Sequence, residues 1–311
     1  MKRFLVPLTA VLAFAAATTP SANSGNTPGG AATSAICGDS LLGSVPFLGP
    51  AGRVLTREPV LRNAPVDSTI PGLAPKVPAN FSASVPVYFH VIHNGAAGDV
   101  SNATITDQMA VLDLAFGGFY GGANSKISFS LAGVDRTDNA AWFDAAPGSA
   151  EELAMKTALK RGDSTALNIY STSGAQDLFL GWAYYPSITV QNKHSVLDGV
   201  VIHWGSMPGG PFGSAFSLGQ TATHESGHWL GLAHTFEGGC NGKGDGIGDT
   251  PAMSVPTSGC PVGKDTCPSQ PGLDPIHNYM DYSFDSCYRE FTADQVGRMQ
   301  QQWLHWRLKR T

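Results

Sequence analysis

The stretch His224-Glu225-Ser226-Gly227-His228-Trp229-Leu230-Gly231-Leu232-Ala233-His234 constrains this chain more than any other part of it. In a helix, His224 and His228 stand one turn apart on one face, where both imidazoles reach a single ion. Glu225 follows the first of them directly, so its carboxylate stands beside the ion and can take a proton from a water there. Gly231 can adopt a positive φ at no steric cost, which ends the helix and swings His234 back as a third ligand. Three histidines leave the fourth tetrahedral position open, the arrangement of a catalytic rather than a structural zinc.

A bare H-E-x-x-H occurs by chance, whereas H-E-x-x-H-x-x-G-x-x-H fixes five positions. The longer form is the metzincin pattern, which also requires a methionine turn downstream. Asn278-Tyr279-Met280-Asp281-Tyr282 supplies a candidate. An ordinary amphipathic core helix would leave Glu225, Gly231 and His234 without a common reason.

The compartment follows from the ends and the cysteines. Lys2 and Arg3, the apolar run Phe4 to Ala17 and the small residues through Ala22 read as a secretory signal over 1–22, too short to span a bilayer. No later stretch is apolar enough for a membrane anchor, so a soluble, secreted, extracellular product is expected. Of five cysteines, Cys240, Cys260, Cys267 and Cys287 follow the zinc motif and contain no C-x-x-C pair. Their spacing therefore favours two disulfides over a second zinc site, with three pairings open. Cys37 stands alone. Its thiolate either occupies the open metal position of a latent precursor or has no catalytic part.

Residues 1–80 carry net +3 and residues 81–311 net −8, which together give the −5 of the chain. Phosphate binding needs clustered Lys and Arg, so an acidic main body argues against nucleic acid as a partner. Nothing in the sequence resembles an oligomer-forming repeat, and a monomer is expected.

Ser21 to Thr33 is a Ser/Gly/Pro-rich tether, and prolines recur without periodicity from Gly43 to Pro78; residues 23–80 read as a propeptide. The catalytic domain is expected over 81–311, its upper part ending near 231 and its lower part spanning 232–311. Strands are expected at Val85–His93, Ile127–Val134, Leu167–Tyr170, Gly181–Pro186 and Val200–Trp204, and His90, His93 and His203 on them read as structural. Helices are expected at Thr106–Phe116, from a capping box at Ser149-Ala150-Glu151-Glu152 to about Arg161, and from a second at Thr292-Ala293-Asp294-Gln295 to about Leu308. Cys240 to Pro251 is a glycine-rich curve with two carboxylates, either a calcium loop or a solvated turn.

The strand Val85 to Gly95, Leu197-Asp198-Gly199-Val200-Val201-Ile202, the zinc motif with Thr235-Phe236, Gly248-Asp249-Thr250-Pro251 and Asn278 to Tyr282 together resemble the pappalysin family of metzincin metallopeptidases. The resemblance covers most of residues 85–308. It implies an α+β, metzincin-like fold of a twisted mixed five-stranded sheet with two long helices over an active-site cleft, and a loop-rich C-terminal half ending in a helix. It places zinc on His224, His228 and His234, with Met280 beneath them and Tyr282 holding the tetrahedral intermediate. It pairs Cys240 with Cys267 and Cys260 with Cys287. It gives Cys37-Gly38 a latency role and Asp245, Asp249 and Thr250 a calcium site, and it offers Asp281 or Asp285 for a pocket that takes a basic side chain.

The expected function is a secreted zinc metalloendopeptidase, made as a zymogen and acting on extended protein or peptide substrates. Two rivals stand beside it: a catalytically silent zinc-bearing binding protein, which the presence of Glu225 opposes, and a metal-dependent amidase.

Overall fold

The computed structural model describes residues 76–189, 195–241 and 244–308, together with the antiparallel pair Phe47–Leu48 and Val54–Leu55. The expected signal segment, Cys37 and most of the expected propeptide lie outside the described residues.

Five strands form one sheet: β1 (Ala83–His93), β2 (Ile127–Asp138), β3 (Leu167–Thr172), β4 (Gly181–Ala183) and β5 (Val200–His203). Their spatial order is β2-β1-β3-β5-β4, parallel except for β4, which runs antiparallel to β5 along one edge. Among the described residues four helices of ten residues or more accompany them: α1 (Asn102–Phe116), α2 (Ala150–Leu159), α3 (Gln220–Trp229) and α4 (Ala293–Gln302).

β1 shows why the sheet is central. Val85, Val87, Phe89 and Val91 join one core with Ile105, Met109, Leu112 and Phe116 of α1, while Ile92 enters a second with Met155 and Leu159 of α2 and with Tyr170, Trp182 and Val201. A parallel strand covered on both faces reads as a nearly continuous apolar run, as this one does. The buried positions of α1 recur at three- and four-residue intervals, the stripe a helix needs to lie on a sheet. Its first turn is closed by Ser101, whose hydroxyl accepts the Thr104 N–H.

The histidines on the strands are structural. His90 is buried between Asp135, 2.9 Å from Nδ1, and Asn168, 2.9 Å from Nε2. His203 accepts the Gly205 N–H at Nδ1, so its Nε2 donates to Asp177 at 2.8 Å. His93 donates from Nδ1 to the Gly95 carbonyl at 2.9 Å.

Three elements depart from expectation. The capping box at Ser149 forms by half: its hydroxyl accepts the Glu152 N–H, but Glu152 turns inward. Its Oε1 accepts from Trp182 Nε1 at 2.8 Å and from Lys156 Nζ at 2.9 Å, and its Oε2 accepts from Tyr184 at 2.7 Å and the Gly148 N–H at 2.6 Å. Burial alone would push this carboxyl up, but Lys156 and the donors around it hold it below the usual carboxylate range. The strand at 181 stops at Ala183, and Pro186 opens a short helical turn, a position where its missing N–H is harmless. The last α-helix ends at Gln302 and widens into a π turn, Trp303–Arg307, as the Arg307 side chain is drawn inward.

Below the sheet the chain is loop-rich. It is tied by Cys240–Cys267 and Cys260–Cys287, the pairing the resemblance implies.

Candidate active site

Every residue of α3 is buried, although the helix carries histidine, glutamate, threonine and glutamine. Such a helix is held at both ends. At its N-terminus Asp285 Oδ2 accepts the N–H groups of Leu218 at 2.9 Å and Gln220 at 3.3 Å. At its C-terminus the Arg307 guanidinium donates to the Trp229 carbonyl at 2.8 Å, lies 3.8 Å over the Trp229 ring and pairs with Asp198 at 2.6 Å. An anion at the first turn and a cation at the last both favour the helix dipole.

The turn after α3 brings the three histidines together. Gly231 has φ 86°, its N–H reaches the His228 carbonyl at 2.8 Å, and the Leu232 N–H reaches that of Gly227 at 3.0 Å, a Schellman closure. The closure sets the Leu232 carbonyl 2.7 Å from His228 Nδ1 and carries His234 back beside His228. His224 Nδ1 lies 2.6 Å from the Tyr279 carbonyl on the methionine turn. A carbonyl only accepts, so both Nδ1 atoms carry the proton, and each neutral ring presents a lone pair at Nε2.

Those lone pairs converge. His228 Nε2 is 3.1 Å from Nε2 of His224 and 3.1 Å from Nε2 of His234. Acceptors that close repel one another unless a cation lies between them. Zinc–nitrogen bonds of about 2.0–2.1 Å at tetrahedral angles separate ligand nitrogens by about 3.3 Å, so the donor set fits a metal of that kind.

Glu225 is buried next to β4. A Cβ placed on Gly181 would stand 2.8 Å from Glu225 Oε1 and 2.8 Å from the Val201 carbonyl, so the strand must be bare at this point for the carboxylate to sit there. Tyr282 is buried with its ring centroid 5.0 Å from that of His234 and 5.7 Å from that of His224. Phe236 stacks on His234 at 4.6 Å. Met280 lies fully buried with its sulfur against Gly227, between the two histidines of α3. The methionine turn is itself held from α4, whose capping box at Thr292 is complete. Asn278 and Gln295 exchange amide hydrogen bonds of 2.8 Å and 3.0 Å, and Asn278 Oδ1 also accepts the Met280 N–H.

The three residues expected at a calcium site are only partly brought together. Thr250 donates to the buried Asp245 carboxylate, whereas the exposed Asp249 accepts the Asp294 N–H at the start of α4. A cavity of about 160 Å³ adjoins Asp245 and Thr250. Asp281 is buried and accepts the Thr257 N–H, and Asp285 serves the α3 terminus as above. Cys260, His277 and Cys287 also converge, but the two sulfurs are joined as a disulfide.

Gly181, Arg307 and the Asn278–Gln295 pair are the parts of the site that sequence reasoning did not assign, and the hold of Asp285 on the start of α3 was not foreseen either. Asn278 and Gln295 lie inside motifs recognised for other reasons. Arg307, at the far end of the chain, carries no local signal.

The Peptidase M43 family, described as pregnancy-associated plasma protein-A, matches residues 169–303. An extracellular metalloprotease of Verticillium alfalfae is 46% identical over 234 residues, covering 74% of this chain and 78% of its own. One of Pyricularia oryzae is 47% identical over 227 residues, covering 72% and 76%. Among solved structures, Tannerella forsythia mature mirolysin in complex with a cleaved peptide is similar with TM-score 0.59 and 32% identity, over 70% of this chain and 90% of that one. A mutant of Tannerella forsythia promirolysin is similar with TM-score 0.62 and 32% identity, over 73% and 82%. The chain belongs to the pappalysin family, Peptidase M43, and is an extracellular metalloendopeptidase.

Proposed function

We propose that the metal is zinc, held by His224, His228 and His234, and that the enzyme hydrolyses extended protein segments laid along the outer edge of β4, which among the described residues pairs with β5 alone. The observation that carries this reading is the convergence of the three Nε2 atoms with the Nδ1 protons of His224 and His228 turned away onto carbonyls. When bound, zinc supplies Lewis-acid polarisation of the attacking water and the scissile carbonyl.

The chain's own residues do the rest. The Glu225 carboxylate takes the proton of the attacking water and returns it to the leaving amine. The Tyr282 hydroxyl donates to the oxygen on which negative charge develops. The edge of β4 orients an extended peptide as an added strand. Peptide binding in a solved relative, mirolysin, supports this substrate class.

The same reading keeps residues 1–22 as signal, 23–80 as propeptide with Cys37 as its latency ligand, and 81–311 as the catalytic domain. It also keeps a monomer that binds no nucleic acid, and calcium at Asp245 and Thr250. Casein or gelatin cleavage by the processed enzyme, with and without phenanthroline and beside Glu225→Ala, tests the central claim. Chelator-sensitive cleavage that vanishes in the variant is expected. A processed, zinc-loaded wild type that cleaves neither protein would sink it and return the silent binding protein or the amidase to first place.

A further inference from the structure

β2 is the outer edge of the sheet opposite β4; among the described residues it pairs with β1 alone. Its first eight residues, Ile127-Ser128-Phe129-Ser130-Leu131-Ala132-Gly133-Val134, contain neither a charge nor a proline. Leu131 and Val134 are 44% and 40% exposed, and only Ile127 and Phe129 of the eight are buried. A long, uncharged, partly apolar edge is the arrangement that pairs with a second copy or nucleates aggregation, and proteins normally blunt it with lysines, proline or a covering element. The charges near β2 stand only at its ends, Lys126 before it and Asp135, Arg136 and Asp138 at its close.

The N-glycosylation acceptor pattern N-x-[ST], with x not proline, occurs at two of the twelve asparagines, in Asn80-Phe81-Ser82 and Asn102-Ala103-Thr104. They flank the two ends of this edge. Asn80 is exposed in the turn closed by the Phe81 N–H on the Pro78 carbonyl at 3.0 Å. Three residues later Ala83 pairs with Ile127, the first residue of β2. Phe81 leans on the core, so the turn fixes Asn80 and Ser82 outward. Asn102 is exposed at the start of α1, and its Oδ1 accepts from Arg136 Nη2 at 2.8 Å, near the far end of β2. The atom that carries a sugar is Nδ2, so the Arg136 contact and a glycan are compatible. An exported chain with exposed sequons meets the physical requirements for the modification.

We propose that in the uncleaved precursor Asn80 and Asn102 carry N-linked glycans, and that these two hydrated polymers cover the outer edge of β2 in place of the charges it lacks, Asn102 alone keeping its glycan after the propeptide is cut away. Each forms when the asparagine Nδ2 attacks C1 of the first sugar of a lipid-linked oligosaccharide pyrophosphate. The C1–O bond breaks, the lipid pyrophosphate leaves with the electron pair, and an Nδ2 proton is released. The inference rests on export and not on the peptidase chemistry.

The test uses the full chain secreted from a yeast host as Glu225→Ala, so that self-cleavage does not remove Asn80. Peptide N-glycosidase treatment in heavy-oxygen water should convert Asn80 and Asn102 to labelled aspartate, and Ser82→Ala should abolish the label at residue 80 alone. Unlabelled asparagine at either position overturns the assignment there. The natively deglycosylated protein should aggregate at least tenfold faster than the glycosylated one. Adding Leu131→Lys and Val134→Lys should restore its solubility without sugar. Equal aggregation with and without glycans, or no rescue by the two lysines, overturns the shielding role.

Discussion

Gly181 lies against the Glu225 carboxylate, and a methyl group there would stand 2.8 Å from Oε1. The edge strand proposed to receive substrate and the carboxylate proposed as the base are thus in contact. Gly181→Ala should displace Glu225 by several tenths of an ångström or more. Misplacement of about 1 Å costs on the order of 100-fold in rate. The loss should fall on kcat, with zinc content and KM for a peptide substrate nearly unchanged. A variant that keeps wild-type kcat would show that Glu225 tolerates the intrusion and that the contact is incidental.

Glu152 and Lys156 form a fully buried ion pair one helical turn apart, and the carboxylate also holds Trp182 of β4 and Tyr184 just beyond it. Removing one partner leaves an uncompensated buried charge, at a cost of about 3–5 kcal/mol. Lys156→Met alone should therefore lower the unfolding free energy by that order. Glu152→Leu with Lys156→Met should lower it by less than the sum of the single changes. Strict additivity in urea unfolding would contradict the coupling.

Much of the site was legible because its chemistry is local. The histidine spacing, Glu225 and the turning glycine occupy eleven consecutive residues, so one helix and the turn that ends it bring them together. The methionine turn and the complete capping box at Thr292 were equally readable, since each is a short-range hydrogen-bond pattern. The inward rotation of Glu152 was not, because two of its partners, Trp182 and Tyr184, come from β4 and the segment after it, and the capping rule sees only the first turn. Arg307 is the extreme case. It serves the Trp229 carbonyl and Asp198 across 78 and 109 residues, and no periodicity reports such a pairing. Asp249, which the resemblance grouped with Asp245, accepts the Asp294 N–H at the first turn of α4, a contact 45 residues away that no local pattern reports.

The Asp245 carboxyl is pushed up to about 6, burial being the largest cause, while the Ile247 N–H and the Thr250 hydroxyl oppose it. An unfolded aspartate titrates near 3.9. Between about pH 4 and pH 6 the folded state binds the extra proton, so stability from this group is complete below that window and lost as pH rises through it. In chelator, the melting temperature of wild type should fall across the window relative to Asp245→Asn. Calcium added at pH 7 should restore it in the wild type only. No response to calcium would remove the ion from this loop, whereas a flat difference between the two proteins would refute the titration itself.

Gln295 reaches the proposed metal ligand His224 through two intermediates. Its amide is paired with Asn278, Asn278 fixes the Met280 N–H, and the intervening Tyr279 carbonyl holds the Nδ1 proton of His224. Groups that orient a metal-bound histidine from behind typically change metal affinity about 10–100-fold when removed. Gln295→Ala leaves the buried Asn278 amide unpaired, so it should lose about 1–3 kcal/mol of stability as well. The two effects separate by comparison with Val296→Ala, a core truncation on the same helix that does not touch Asn278. Both variants should melt earlier, but only Gln295→Ala should yield zinc more readily to a competing chelator. If the two surrendered zinc alike, the capping box of α4 would be a structural device only, and the hold on His224 would reside in the methionine turn itself.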